Sequence, residues 1–234
     1  MSDRGIIFSA PMVRALLAGR KTQTRRLAKS KRHSDLEHPF RQQLGEVREA
    51  GEASLKERAA EDRGFAPGDR LWVRETWGCH SSTDANKPRE IEPGRWPVFY
   101  KADGEVRAGS DWSITRRDEV TRLRPSIFMP RWASRIWLFV TDVRTERLQD
   151  IGEDDAKAEG VEPSSFEVYR DAYRQFWSVL HDKPGERWAD NPWVIAITFV
   201  VHRGNIDRAS QEHSSIRQRG ATAPDQSISL TREL

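Results

Sequence analysis

Apolar and polar residues near the start of the chain follow two different periods, which predict a strand and then a helix. Residues 5–9 form a short apolar stretch of the kind found in buried strands. Pro11 suits the first turn of a helix, because proline lacks an N–H where the helix leaves that group unpaired. The apolar residues within 12–17 then recur at helical spacing. Gly19 is placed to end this helix, since glycine readily adopts the left-handed conformation common at that point.

Four later segments have the apolar, aromatic and β-branched composition that favours strands. A Pro67-Gly68-Asp69 turn leads into the first of them. With residues 5–9 they predict five strands, and the four later ones are residues 70–74, 97–101, 135–143 and 193–201.

Two further helices are predicted between the last two strands. Asp150 is a candidate N-cap with Glu153 completing a capping-box pattern, and Gly160 is placed to end this first helix. The second, residues 165–180, has aromatic residues at helical spacing. Such a stripe could stack on nucleic-acid bases, but we expect it to pack into the core, as buried helix faces ordinarily do.

Two segments lack the pattern of a packed core. Residues 29–63 mix charges with Gly and Ala, and residues 203–234 are polar with isolated aliphatic residues. We therefore predict one domain over residues 1–202, with a charged insertion at about 29–63 and a disordered polar tail at 203–234. The 9 tryptophans are consistent with a core built from few, large side chains, although mean hydropathy is only -0.77.

Composition narrows the classes of function. The lone Cys79 excludes an intrachain disulfide framework and a multi-cysteine zinc site, and the 6 histidines show no metal-ligand spacing, so we expect neither metal nor cofactor. No apolar run approaches the roughly 18 residues of a membrane span, and no export signal is present. The sequence thus favours a soluble cytoplasmic protein without a membrane partner, and a monomer is the expected oligomeric state.

The charge pattern is most distinctive at residues 19–26, which read GRKTQTRR. Nine Lys or Arg residues and no acidic residue lie between Asp3 and Asp35, although the net charge of the whole chain is only +3. The amine of Lys21 and the hydroxyl of Thr24 are three residues apart, a pattern that suits a nucleophile with its activator. The same cations suit a phosphate-binding strip, and the pattern alone leaves both interpretations open.

Several motifs together resemble ASCH-domain proteins of the type found in phages and prophages. The resemblance spans about residues 4–202, apart from the insertion, and implies an α+β fold of the PUA-like superfamily. Such a fold is a mixed β-barrel of about five to six strands with packed helices. The motifs are FSAPM at 8–12, GRKTQTRR at 19–26, GDRLWVRETW at 68–77, MPRWASR at 129–135 and NPW at 191–193.

Compact bacterial members of this family are N4-acetylcytidine amidohydrolases, so the resemblance implies metal-free removal of an acyl group from an N4-acylated cytosine nucleoside. The catalytic lysine and threonine of those hydrolases match Lys21 and Thr24. Their catalytic glutamate matches Glu159, which lies in an A-x-x-E context. The present chain is longer than these hydrolases and has tryptophan-rich loops between Trp77 and Trp132. These differences are compatible with a different substrate. The alternative interpretation is an RNA-binding or RNA-cleaving ASCH module.

Charge and ring type suggest which residues hold a nucleoside. Arg25, like its neighbours in the basic run, is expected to face phosphate or solvent. Glu75 is a further candidate carboxylate that directly follows a predicted strand. The residues predicted to bind substrate are Arg20, Arg26, Trp72, Glu75 and Tyr100.

Overall fold

A computed structural model describes residues 3–28, 64–109, 122–165 and 167–208. Within these ranges the chain has an α+β fold, with nine strands in two sheets and three α-helices. The predicted insertion at 29–63 lies outside the described residues, and so does most of the predicted tail.

The described elements largely follow the predicted order. No helix among them is long and apolar enough to cross a membrane. In chain order they are β1 (Asp3–Ile7), α1 (Ala10–Leu17), β2 (Gln23–Leu27), β3 (Arg70–Arg74), β4 (Trp77–Cys79), β5 (Val98–Tyr100), β6 (Val106–Arg107), β7 (Leu123–Arg124), β8 (Ile136–Arg147), α2 (Glu153–Ala158), α3 (Tyr169–Leu180) and β9 (Trp193–Arg203).

The larger sheet has the strand order β1-β3-β8-β9-β2 and contains four of the five predicted strands. Its fifth strand, β2, lies in the basic run and was not predicted as a strand. The pair β1–β3 is parallel and the other pairs are antiparallel. Strands β1 and β2 are its two edges, so the predicted β-barrel is not closed. Between these two edges a side chain makes a hydrogen bond in place of backbone pairing. Arg26 Nη2 of β2 donates to the Ile7 carbonyl of β1 at 2.7 Å.

The main core lies between the larger sheet and α1. Alternate residues of β3 and β8, such as Leu71 and Leu138, face it, as do Val13 and Leu16 of the predicted helix. A second cluster contains Tyr173 and Trp177 of α3, together with apolar residues that flank α2. The prediction that the aromatic face of this helix packs into the core is confirmed for Tyr173 and Trp177, although the helix begins at Tyr169 and not at residue 165.

The smaller sheet, β6-β5-β4-β7, was only partly predicted. Its strand β5 lies within predicted residues 97–101, but the other three strands are two or three residues long and too short to show a period. Trp77 and Tyr100 are buried in a third apolar cluster beneath this sheet.

The start of α2 differs from the prediction. Its N-cap is Gly152, whereas Asp150 ends a preceding 3₁₀ turn and accepts a hydrogen bond from the backbone N–H of Arg147 at 3.3 Å. Asp150 therefore caps the shorter element that comes first. The predicted end of the helix is confirmed, because Gly160 has φ of 80° immediately after Glu159.

The packed chain continues past the predicted domain boundary at residue 202. Strand β9 extends to Arg203, and Ile206 is completely buried. Asn205 Nδ2 donates to the carbonyls of Trp132 and Ser134 at 3.2 and 3.0 Å. Residues 203–208 therefore belong to the folded domain.

Candidate active site

A tight turn after α1 positions Lys21. Gly19 has φ of 71° and reverses the chain, and the backbone N–H of Lys21 donates to the Ala15 carbonyl at 3.2 Å. Thr22 then donates its backbone N–H to the Ala158 carbonyl at 2.8 Å, which ties the turn to the end of α2. These two hydrogen bonds place Lys21 next to the residue that directly follows α2.

That residue is Glu159, and the structure brings its carboxylate to Lys21. Lys21 Nζ donates to Glu159 Oε2 at 2.8 Å and to the Glu159 carbonyl at 2.7 Å. The two residues are only 1% and 3% exposed. Burial lowers the pKa of Lys21, while the adjacent Glu159 carboxylate opposes that change. A lysine held in this way can exchange a proton with its carboxylate partner.

Thr24, the predicted nucleophile, lies within β2 and is only 4% exposed. Because side chains alternate along a strand, Thr24 shares one face with Arg26, whereas Gln23 and Arg25 face the other way. No hydrogen bond between described residues joins the Thr24 hydroxyl to Lys21 or Glu159. The structure thus places the predicted nucleophile in the strand that follows Lys21, without a hydrogen bond to the pair.

The ring of Phe8 lies close to two cations of the basic run. Lys21 Nζ lies 5.6 Å and Arg26 Cζ lies 5.2 Å from the centroid of its ring. Arg26 Nε is buried and has no hydrogen-bond partner among the described residues. Burial lowers the pKa of Arg26, while Glu159 opposes the change. A cation with an unused N–H therefore lies on the face of β2 that carries Thr24.

Arg25 does not face solvent, contrary to the expectation from the basic run. Its guanidinium is buried on the opposite face of β2 and donates to Glu159 Oε1 at 3.2 Å, to Glu146 Oε1 at 2.6 Å and to Asp155 Oδ2 at 3.0 Å. Burial opposes the charge, but the carboxylates of Glu159 and Glu146 raise the pKa of Arg25. Sequence reasoning missed this ion-pair cluster around Arg25. The signal in the sequence that could have indicated it is the alternation of long polar side chains at positions 21, 23 and 25.

Two predicted substrate-binding residues belong to a separate buried network. Glu75 accepts two hydrogen bonds from Arg135, at 2.9 and 3.0 Å. Tyr100 stacks on the same guanidinium at 4.1 Å and donates its hydroxyl to the Ala133 carbonyl. Among the described residues, neither side chain contacts Lys21 or Glu159.

Trp72 and Arg20 lie on two other surfaces. Trp72 faces away from the main core, because its neighbours Leu71 and Val73 face toward it. Arg20 pairs with Glu162 at 2.8 Å and lines a surface pocket of about 480 Å³ at the end of α2. Of the predicted binding residues, the structure places only Arg26 in the cluster around Phe8.

The comparisons with known proteins add no functional assignment. No protein-family model, curated protein or solved structure matches the chain. A functional proposal therefore depends on the chemistry of the side chains where α1, α2 and β2 meet.

The close packing of Lys21 predicts that Gly160→Ala destabilises the fold. Gly160 has a positive φ, and a Cβ atom there would lie 2.8 Å from Lys21 Cβ and 2.9 Å from Ala15 Cβ. Backbone strain and overpacking together should lower the free energy of unfolding by about 3 kcal/mol in urea denaturation. Gly104→Ala is the control, because its φ of 78° is similar but nothing lies within 4 Å. Equal losses in both variants would show that no tight contact holds Lys21.

Proposed function

We propose that this chain is a metal-free amidohydrolase that removes the acyl group from N4-acetylcytidine or a related N4-acylated cytosine nucleoside. We further propose that its open five-stranded sheet is a PUA-like fold of the ASCH type. The observation that carries the functional proposal is the buried 2.8 Å contact between Lys21 Nζ and Glu159 Oε2, with Lys21 three residues before Thr24 in the chain. An amine, a carboxylate and a hydroxyl are the groups that can supply a base, an acid and a nucleophile.

Acylation of Thr24 is the first chemical step. A proton passes from the Lys21 ammonium to the Glu159 carboxylate along their hydrogen bond, and the neutral amine then takes the hydroxyl proton of Thr24. Thr24 Oγ forms a bond to the acyl carbon, and the bond from that carbon to N4 breaks. Glu159 gives its proton to the departing N4 amine, which leaves an acyl ester on Thr24.

Hydrolysis of the ester completes the cycle. The Glu159 carboxylate takes a proton from water, whose oxygen attacks the acyl carbon. The Lys21 ammonium returns a proton to Thr24 Oγ as the ester bond breaks. A proton then passes back from Glu159 to Lys21, which restores the starting ion pair.

Arg26 is the group best suited to stabilise the negative charge that develops on the acyl oxygen. Its unpartnered Nε–H lies on the same face of β2 as Thr24, and the Lys21 amine already uses two of its hydrogen bonds on Glu159. Preorganised donors of this kind stabilise a transition state without reorganising.

The contacts made by the cations of the basic run support a hydrolase in preference to an RNA-binding protein. Lys21 and Arg25 are buried against carboxylates, so neither presents a free cation to a phosphate at the surface. Arg20 is exposed, but it pairs with Glu162.

Salt dependence separates the two functions experimentally. Pure protein should convert N4-acetylcytidine to cytidine at similar rates in low and high salt, because the substrate is uncharged. An RNA-binding module should instead bind single-stranded RNA with an affinity that falls steeply as salt rises. Salt-sensitive RNA binding without any cytidine formation would overturn the proposed hydrolase.

A further inference from the structure

Glu159 has two carboxylate oxygens, and different cations hold them. Oε2 accepts from Lys21, whereas Oε1 accepts from Arg25 Nη1 at 3.2 Å. Glu159 is the residue that directly follows the last turn of α2, and it is only 3% exposed. With Oε1 held by Arg25, the carboxylate presents Oε2 to the Lys21 amine.

Arg25 is itself fixed from several sides. Gln23 Oε1 accepts from its Nη1 at 2.6 Å, and Glu146 Oε1 accepts from both Nε and Nη2. Asp155 Oδ2 accepts from Nη2, and the guanidinium lies 6.0 Å from the centre of the Tyr173 ring. Its side chain is 0% exposed. A planar guanidinium anchored by these partners is a rigid donor to Glu159.

We propose that Arg25 is a positioning residue for the amidohydrolase, orienting Glu159 for proton exchange with Lys21. The inference rests on the proposed function, and it assigns a role to a residue that the resemblance does not include among the catalytic ones. Arg25 reaches Glu159 from the face of β2 opposite to Thr24, so it acts through the carboxylate and not on the substrate.

Arg25→Gln should lower kcat for N4-acetylcytidine by about 100-fold with little change in KM, because a displacement near 1 Å at a reacting group has an effect of that size. The pH profile should change as well. Glu159 faces Lys21 and Arg25 directly, and the Arg26 cation and the phenol of Tyr173, whose pKa burial raises well above its ordinary value, also belong to this cluster. Removing a cation disfavours a carboxylate, so the acidic limb of kcat/KM should move to higher pH.

Arg144→Gln is the matched control. Arg144 Nη2 donates to Asp155 at 3.0 Å, and its Nε lies 3.7 Å from Glu146, but no contact with Glu159 is present among the described residues. This variant removes a cation from the same acidic group without touching the catalytic carboxylate. Its kcat and its acidic limb should stay close to those of the wild-type protein. Equal effects in both variants would overturn the positioning role.

A double-mutant cycle with Glu159→Gln separates positioning from general support of the fold. If Arg25 acts through Glu159, adding Arg25→Gln to Glu159→Gln should lower kcat by less than about twofold. A further loss as large as that in the wild-type background would contradict the proposal.

Loss of a buried cation could unfold the protein, so Arg25→Gln combined with Glu146→Gln provides a charge-balanced variant. A folded, slow double variant with the shifted acidic limb supports the proposal, and wild-type kinetics would overturn it.

Crystal structures separate this inference from the proposed function. Even if the wild-type protein hydrolyses nothing, Glu159 should turn away from Lys21 in the charge-balanced variant, and an unchanged 2.8 Å contact would overturn the orienting role.

Discussion

Lys21→Arg is expected to reduce the hydrolysis of N4-acetylcytidine by about 1,000-fold or more, the range of general acid–base catalysis with a positioned group. The substitution keeps the positive charge beside Glu159, but a guanidinium does not give up its proton in a protein. The cycle proposed above needs a neutral amine to take the Thr24 proton. Cytidine formation, followed by chromatography, measures the effect.

Lys157→Arg is the control for this substitution. Lys157 lies on α2 near the same site, but it contacts the ring of Tyr169 and lines the surface pocket. Its replacement should leave the rate within about twofold, as expected for a surface substitution away from the reacting groups. Retention of substantial hydrolysis by Lys21→Arg would exclude Lys21 as the base.

Arg135→Met should have the largest effect on stability, lowering the free energy of unfolding by about 3–5 kcal/mol. Arg135 is buried and pairs with Glu75, Asp103 and Glu105. Burial raises the pKa of Glu75, while Arg135 opposes that rise. Methionine preserves much of the volume but leaves the buried carboxylate without its cation, and denaturation in urea measures the loss.

Arg95→Met provides the comparison for an exposed ion pair. Arg95 pairs with Glu92 at 3.2 Å, and both side chains are largely exposed. Its loss should lower the free energy of unfolding by less than about 1 kcal/mol. If Arg135→Met were equally mild, the network around Glu75 would not stabilise the fold as described.

The regular elements could be predicted from sequence where a period runs over many residues. The spacing in residues 11–17 predicted α1, and the apolar runs predicted β8 and β9, although both strands extend beyond the predicted bounds. The three short strands of the smaller sheet have too few residues for a period. Asp150 was assigned to the wrong element, because a capping pattern does not specify which of two successive helical turns it starts.

The candidate site was predictable only in part. The resemblance selected Lys21 and Glu159, which are 138 positions apart, and the structure brings them together. Arg25 was not predictable, because its partners Glu146 and Asp155 lie on other elements, and its burial depends on where α2 packs against β2. Glu75 and Tyr100 were chosen by residue type, and residue type does not reveal that Arg135 already holds both.

Cytidine release from N4-acetylcytidine, compared among wild-type protein, Thr24→Ala and Thr24→Ser, tests the central claim most directly. The wild-type protein should release cytidine without added metal, and Thr24→Ala should lose activity because the nucleophile is gone. Thr24→Ser should retain part of the rate, since it keeps a hydroxyl. Wild-type rates in Thr24→Ala, or no release by the wild-type protein, would contradict the assignment of this site as a threonine-dependent amidohydrolase.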